Sequence, residues 1–205
     1  MKNVTLGTLN GIHQSLQKVI KYPFAIVGGA VRDVMLGKGD SVKDIDICIT
    51  LPDLPDSKRF KIINELNPVI AKHFYSDADK MICLSVDLSD TIQHTFSVNI
   101  GQSDRLITVY QLPNGPHNFP LELLYTALTP KEFVETFDFG ICQAWVGLYG
   151  LKALPAFRKD MVDKTITFVR KGEDPTPYER HLKRIMTKYP GYSIRGMAPP
   201  SLDKD

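Results

Sequence analysis

The sequence predicts an α+β fold: a mixed sheet with flanking helices, followed by a short, basic, mainly helical C-terminal part. Helical and strand-like patterns mix along the chain, and glycine or proline bounds most runs. Neighbouring strand-like runs also lie close enough in the sequence to pair antiparallel.

Leu9, Ile12, Leu16 and Ile20 recur at helical spacing and stop before Pro23, which predicts an opening helix. Phe24 to Val27 is a short apolar run ending at Gly28-Gly29, a strand feeding a tight turn. Ala30 to Leu36 reads as a helix with Gly37 as its stop signal. Ile45 to Thr50 is β-branched and alternating, hence a strand. Asp56 to Phe74 reads as a helix interrupted by Pro68, followed by strand-like runs at Met81–Asp87, Thr95–Ile100 and Arg105–Gln111. Pro113-Asn114-Gly115-Pro116 marks a turn, and Pro120–Thr126 the next strand. From Pro130 the pattern turns helical as far as Gly150, with Trp145 in its core. A short strand at Thr165–Val169 precedes a basic helix around Tyr178–Lys188.

The 205 residues are 43% hydrophobic and 23% charged, which suits one globular domain or one plus an appendage and excludes wholesale disorder. The expected division is a head over 1–150, a basic neck-like segment over 151–196 and a flexible tail over 197–205. The charge-free stretch Phe139 to Leu151 spans 13 residues, too short to cross a bilayer and suited to a buried helix. No membrane partner is expected, and the N-terminus lacks a charged-then-apolar export pattern, so the expected compartment is cytoplasmic. Cys48, Cys83 and Cys142 are odd in number, dispersed and set among apolar residues, so they read as core side chains of a reduced compartment. Residues 1–149 hold 13 Lys+Arg against 16 Asp+Glu, whereas residues 150–196 hold 11 against 5. A basic C-terminal quarter on an acidic body suits either a polyanionic partner or a solvated helix face.

The chemistry-bearing segment is Lys43-Asp44-Ile45-Asp46-Ile47-Cys48-Ile49-Thr50. Strand alternation puts Asp44 and Asp46 on one face, roughly 6–7 Å apart, with Ile45, Ile47 and Ile49 on the other. Two carboxylates on one face repel unless a cation lies between them, and hard oxygen donors at that spacing suit Mg²⁺. For a bare Asp-x-Asp, a common pattern, two exposed aspartates on a wet sheet face are the favoured reading. The segment before it changes the weighing. Gly28-Gly29 between a strand and a helix start permits close backbone approach, and helix N-terminal N–H groups bind phosphate. Arg32, one turn into that helix, can add a charge-assisted contact.

Gly28-Gly29-Ala30-Val31-Arg32-Asp33, Leu36-Gly37-Lys38 and Asp44-Ile45-Asp46 together resemble the head-domain signature of CCA-adding enzymes and bacterial poly(A) polymerases, within the polymerase-β-like nucleotidyltransferases. The resemblance implies that Gly28 and Gly29 hold a triphosphate with Arg32 and Lys38 assisting, and that Asp44 and Asp46 bind Mg²⁺ or Mn²⁺. It implies in-line attack of a hydroxyl on the α-phosphate of a nucleoside triphosphate, ATP or CTP, with loss of pyrophosphate. A third carboxylate on a neighbouring strand is also implied. Glu122, the one acid in Leu121–Thr126, is the leading choice, an edge-strand glutamate facing water its plain alternative, and Asp87 the other acid in contention.

Phe137-Asp138-Phe139-Gly140-Ile141-Cys142-Gln143-Ala144 is similar to the family's Arg-Arg-Asp-Phe-Thr-Ile-Asn-Ala block, with Thr136 and Phe137 where the arginines stand. The resemblance gives Asp138 a place in nucleotide binding; the residues alone equally allow an N-cap on the apolar helix. Glu173-Asp174-Pro175 with Arg180 and Arg184 is faintly similar to the family's neck helix, whose letters also fit a basic helix on RNA or in water. His13, His73, His94, His117 and His181 form no metal-spaced pair, and no nucleophile elbow or Walker loop occurs. The expected function is therefore a metal-dependent nucleotidyltransferase acting on an RNA 3′ end, tRNA included. Its rivals are a degenerate head that only binds nucleic acid or a partner, and a transferase modifying a protein or small molecule.

Overall fold

The computed structural model describes residues 3–74, 106–112, 119–170 and 178–197. The expected strands at 81–87 and 95–100, the Pro113–Pro116 turn, Asp87, Cys83, the Glu173–Pro175 element and the tail from 198 lie outside them.

Helix α1 (Leu6–Leu16) begins at a capping box: the Thr5 hydroxyl accepts from the Thr8 N–H at 3.1 Å, while the Thr8 side chain accepts from the Thr5 N–H at 3.2 Å. It buries Leu9, Ile12 and Leu16, the expected stripe. Strand β1 (Phe24–Val27) runs directly into α2 (Gly28–Met35), so both glycines belong to the helix's first turn, two residues earlier than the sequence suggested. Helix α2 ends in a Schellman turn. Gly37 has φ +72°, its N–H donates to the Val34 carbonyl at 3.2 Å, and the Lys38 N–H donates to the Asp33 carbonyl at 2.7 Å.

A short 3₁₀ turn (Gly39–Ser41) leads to β2 (Ile45–Thr50). Helix α3 (Asp56–Phe74) continues through Pro68, which lies on its exposed side. Strands β3 (Leu106–Leu112) and β4 (Leu121–Thr126) follow.

The sheet runs β3-β4-β2-β1-β5-β6. β1 pairs antiparallel with β2, with Val27 opposite Asp46, and β2 pairs in parallel with β4, with Asp46 opposite Glu122. Ile45, Ile47, Ile49, Leu121 and Leu123 pack on one face with α1 and α3; Val27, Cys48 and Leu124 pack on the other with Phe133, Val134 and Trp145. Alternation therefore puts Asp46 and Glu122 on the Cys48–Leu124 face. β2 is central and covered on both sides, so Asp46 is buried rather than on a wet face.

The segment from Pro130 to Gly150 departs from expectation. Helix α4 is only Pro130–Glu135; then come a 3₁₀ turn (Gly140–Cys142), β5 (Ala144–Gly147) and β6 (Gly150–Ala153), which form an antiparallel hairpin. The cause is visible in the packing. Ala144 and Val146 enter one core cluster and Trp145 the other, a period of two, while Leu148 and Tyr149 are exposed at the tip and Gly150 turns at φ +84°. A short charge-free run has no periodicity that separates strand from helix by length alone. Trp145 is core, as expected, but in a strand. Because β6 completes the sheet, the sheet extends past residue 150.

Helix α5 (Pro155–Asp163), β7 (Thr165–Thr167), α6 (Glu179–Lys188) and β8 (Ser193–Arg195) complete the described chain, with β7 and β8 paired in parallel. Leu182 and Ile185 of α6 bury against Phe139, Ile141 and Phe168, leaving Arg180, Lys183 and Arg184 exposed. Among the described residues no helix is long and apolar enough to cross a membrane.

Candidate functional site

The site follows from register. β1 ends beside Asp46, so the next residue, Gly28, is delivered against that carboxylate. Gly28 has φ +73°, a conformation that resists L side chains, and a Cβ there would overlap Asp46 Oδ2. Two independent constraints thus require glycine at 28. The Gly29 N–H bonds the Asp46 carboxylate. On the other side of β2, Glu122 bonds Asp46, and Asp44, half-buried just before the strand, acts on both through its charge.

Burial, then the charges of Glu122 and Asp44, push the Asp46 carboxyl well above the ordinary carboxylate range, despite the opposing pull of the Gly29 N–H. Glu122 is raised by burial and by Asp44, against the pull of its bond to Asp46. The Gln111 amide approaches Glu122 from β3 at 3.4 Å. The three acids expected from the sequence are therefore assembled at one end of the central strands, and among the described residues no cationic group pairs with them. Asp46 and Glu122 bond to one another, and Asp46 also accepts from the Gly29 N–H. Among the described residues no three His, Cys, Asp or Glu side chains form a preformed metal shell.

Arg32 lies differently from the sequence expectation. It is buried, with Nε and NH2 each 2.8 Å from Asp33 Oδ1 and NH1 3.5 Å from Cys142 Sγ. NH2 lies 3.5 Å from where a Gly29 Cβ would stand, so the guanidinium packs against the diglycine from inside the protein. Burial works against its charge but is outweighed by Cys142 and Asp33, and its pKa is raised. Lys38 is exposed in the turn after α2.

Asp138 is neither an N-cap, since no helix follows it directly, nor exposed. Its carboxylate is 2.7 Å from His181 Nδ1 of α6. Burial disfavours the imidazolium, but the Asp138 charge and hydrogen bond outweigh it and lift the His181 pKa to about 9.

Sequence reasoning missed Asp33. This buried carboxylate accepts from Arg32, from Tyr189 Oη at 2.8 Å, from Lys188 Nζ at 2.5 Å and from Ser41 Oγ at 3.3 Å. In the sequence it stands only as the last residue of the Gly28–Asp33 block and as a charge beside the apolar Ala30 and Val31, with no role indicated. Tyr189 and Lys188, over 150 residues away, gave none.

No family model matches the sequence, and no curated protein matches it. Solved structures do match. The Thermotoga maritima CCA-adding enzyme complexed with tRNA is similar with a TM-score of 0.56 at 16% identity, over 93% of this chain and 39% of that one. A CCA-adding enzyme complexed with ATP gives 0.54 at 16% identity, over 95% and 40%, and the Bacillus stearothermophilus CCA-adding enzyme with CTP gives 0.50 at 18%, over 90% and 39%. The fold is that of the nucleotidyltransferase head of CCA-adding enzymes. The chain spans about two fifths of the length of those enzymes. Within this fold, the diglycine and the three acids occupy adjoining ends of β1, β2 and β4.

Proposed function

We propose that the chain is a metal-dependent nucleotidyltransferase that moves a nucleoside monophosphate from a nucleoside triphosphate, ATP or CTP, to an acceptor hydroxyl, with an RNA 3′ end as the acceptor. The observation that carries this reading is the meeting of the Gly28-Gly29 backbone with Asp46, Asp44 and Glu122. A phosphate-cradling helix start and a set of hard oxygen donors adjoin, as phosphoryl transfer requires. Neighbours solved with ATP, CTP and tRNA support the substrate classes.

The chemistry of the donor set, hard carboxylate oxygens, suits Mg²⁺ or Mn²⁺, although the acids would have to turn from one another to form its shell. Three carboxylates, two raised in pKa by burial and mutual repulsion, form an arrangement that a divalent cation relieves. Asp44, Asp46 and Glu122 would hold it, and when bound it would supply charge neutralisation at the attacking and leaving oxygens. The chain's own residues do the rest. The N–H groups at the start of α2 would bind the triphosphate, that of Gly29 in competition with Asp46, and Gly28 lets the backbone approach without a side chain. Arg32 carries positive charge beneath that turn from inside, with Lys38 at the turn's far end. The basic face of α6 guides a polyanionic acceptor.

Thr136 and Phe137, in place of arginines, together with Arg32 committed to Asp33, favour a second reading: a head that binds nucleic acid without catalysis. One experiment separates the two. The protein is incubated with Mg²⁺ and each labelled nucleoside triphosphate, over total RNA and over total protein, beside an Asp44→Asn/Asp46→Asn variant. Label in RNA that requires both aspartates supports the transferase; label in protein moves the acceptor to that class. No label, with RNA binding equal in both proteins, establishes the binding reading.

A further inference from the structure

Asp44 enters the site from the loop between α2 and β2, and that loop has few apolar anchors: Gly37, Lys38 and Asp40 are exposed, and only Gly39 and Val42 are buried. The loop is held by the Val4 N–H, which donates to the Gly39 carbonyl at 3.1 Å, and by polar contacts converging on Asp33. The Asp33 carbonyl accepts from the Lys38 N–H at 2.7 Å, and the Asp33 carboxylate accepts from Ser41 Oγ at 3.3 Å. Ser41 also donates its N–H to the Lys38 carbonyl at 2.9 Å, and its single hydroxyl proton is shared between that carbonyl at 2.8 Å and the more distant Asp33 carboxylate. From α6, Lys188 Nζ reaches both Asp33 Oδ2 at 2.5 Å and the Ser41 carbonyl at 3.5 Å, while Tyr189 Oη donates to Asp33 Oδ1 at 2.8 Å. Three residues beyond Ser41 lies Asp44; one residue further, the Ile45 N–H is fixed to the Pro120 carbonyl at 3.0 Å.

We infer that Asp33 is a positioning residue: with Lys188 and Tyr189 it clamps α6 onto the Lys38–Ser41 turn and so fixes where Asp44 is presented to Asp46 and Glu122. The inference rests on the proposed reaction for its functional consequence, but the clamp itself is a property of the fold. The carboxylate is ionised. Burial raises its pKa, but the Arg32 charge and the bonds from Lys188 and Tyr189 outweigh this and hold it below the ordinary range. Charge-assisted bonds of this kind are about twice as strong as neutral ones. The basic C-terminal helix, whose exposed face suits a polyanion, is through its buried end also part of the catalytic head. A displacement of α6 would be transmitted to Asp44 through Lys188 and Ser41.

The test compares the wild type with Tyr189→Phe, Asp33→Asn and, as a control on the exposed side of the same helix, Thr187→Ala. Amide hydrogen exchange is read by mass spectrometry alongside nucleotide transfer. The expected result is a loss of protection of about tenfold at residues 39–44 in Tyr189→Phe, larger in Asp33→Asn, with α1 and β4 unchanged and Thr187→Ala silent. The transfer kcat then falls by about tenfold or more while KM for the acceptor holds. Unchanged protection at 39–44, or protection lost evenly over the whole protein, overturns the clamp. A loosened loop with undiminished kcat overturns the positioning role. Should the wild type transfer nothing, the proposed function fails and exchange alone still decides the clamp.

Discussion

Replacing Gly28 by alanine separates backbone strain from active-site overlap. Gly28 adopts φ +73°, which costs a residue bearing Cβ about 1–2 kcal/mol. At this chain length each kcal/mol lowers Tm by roughly 2–4 °C, so strain alone removes roughly 2–8 °C. Gly150, in the β5–β6 turn, has φ +84° with no atom within 4 Å of where a Cβ would stand, and Gly150→Ala therefore carries the strain without an overlap. At Gly28 the added carbon would overlap Asp46 Oδ2, so the carboxylate or the turn must shift by about 1 Å, a misplacement that costs about 10²-fold in rate. The assay pairs thermal unfolding with label transfer. Gly150→Ala is expected to show the strain loss alone and Gly28→Ala a Tm loss at least as large, with transfer down about 10²-fold in Gly28→Ala only. Transfer reduced no further in Gly28→Ala than in Gly150→Ala would refute the reasoning.

Asp46→Asn removes a buried carboxyl whose ionisation is opposed by burial and by the charges of Glu122 and Asp44. A carboxyl whose folded pKa lies above its unfolded value contributes stability below the ordinary carboxylate range, and that stability is lost as pH rises towards the folded value. The variant should therefore unfold at a higher temperature at pH 7, by roughly 2–4 °C for about 1 kcal/mol, while losing transfer; a lower Tm contradicts the repulsion. His181→Gln leaves Asp138 buried without its cation. It should cost about 2–3 kcal/mol in denaturant unfolding at pH 6, less than a fully buried pair because the His181 side chain is 28% exposed. Since the folded His181 pKa is raised to about 9, this contribution is complete below pH ~6.5 and lost as pH rises through about 9. An NMR midpoint for the His181 ring at or below the ordinary value of about 6.5 would contradict the ion pair.

Much of the site was legible because local period and register decide it. Ile45, Ile47 and Ile49 alternate with Asp46 and Cys48, so the strand and the shared face of the acids could be read directly. Gly28 stood out because a strand meets a helix there. The helix expected over Phe139–Leu151 was wrong because both faces of β5 are buried, and apolar residues on both faces erase the period of two. Pro68 did not break α3, since it lies on the exposed side of that helix. Asp33–Tyr189, Arg32–Cys142 and Asp138–His181 are contacts between distant segments that no local pattern records. They explain why Arg32 and Asp138, singled out as motif residues, have inward partners that the motif does not disclose.

The central claim is that Asp44, Asp46 and Glu122 with the Gly28-Gly29 turn form one site for a divalent cation and a nucleoside triphosphate. Mn²⁺ binding, followed by electron paramagnetic resonance with and without ATP or CTP, tests it most directly in the wild type, Asp44→Asn/Asp46→Asn and Glu122→Gln. The account predicts Mn²⁺ uptake that one nucleotide strengthens, that is abolished in the double variant and weakened in Glu122→Gln. Uptake equal in all three proteins, or none in the wild type with either nucleotide, would contradict it.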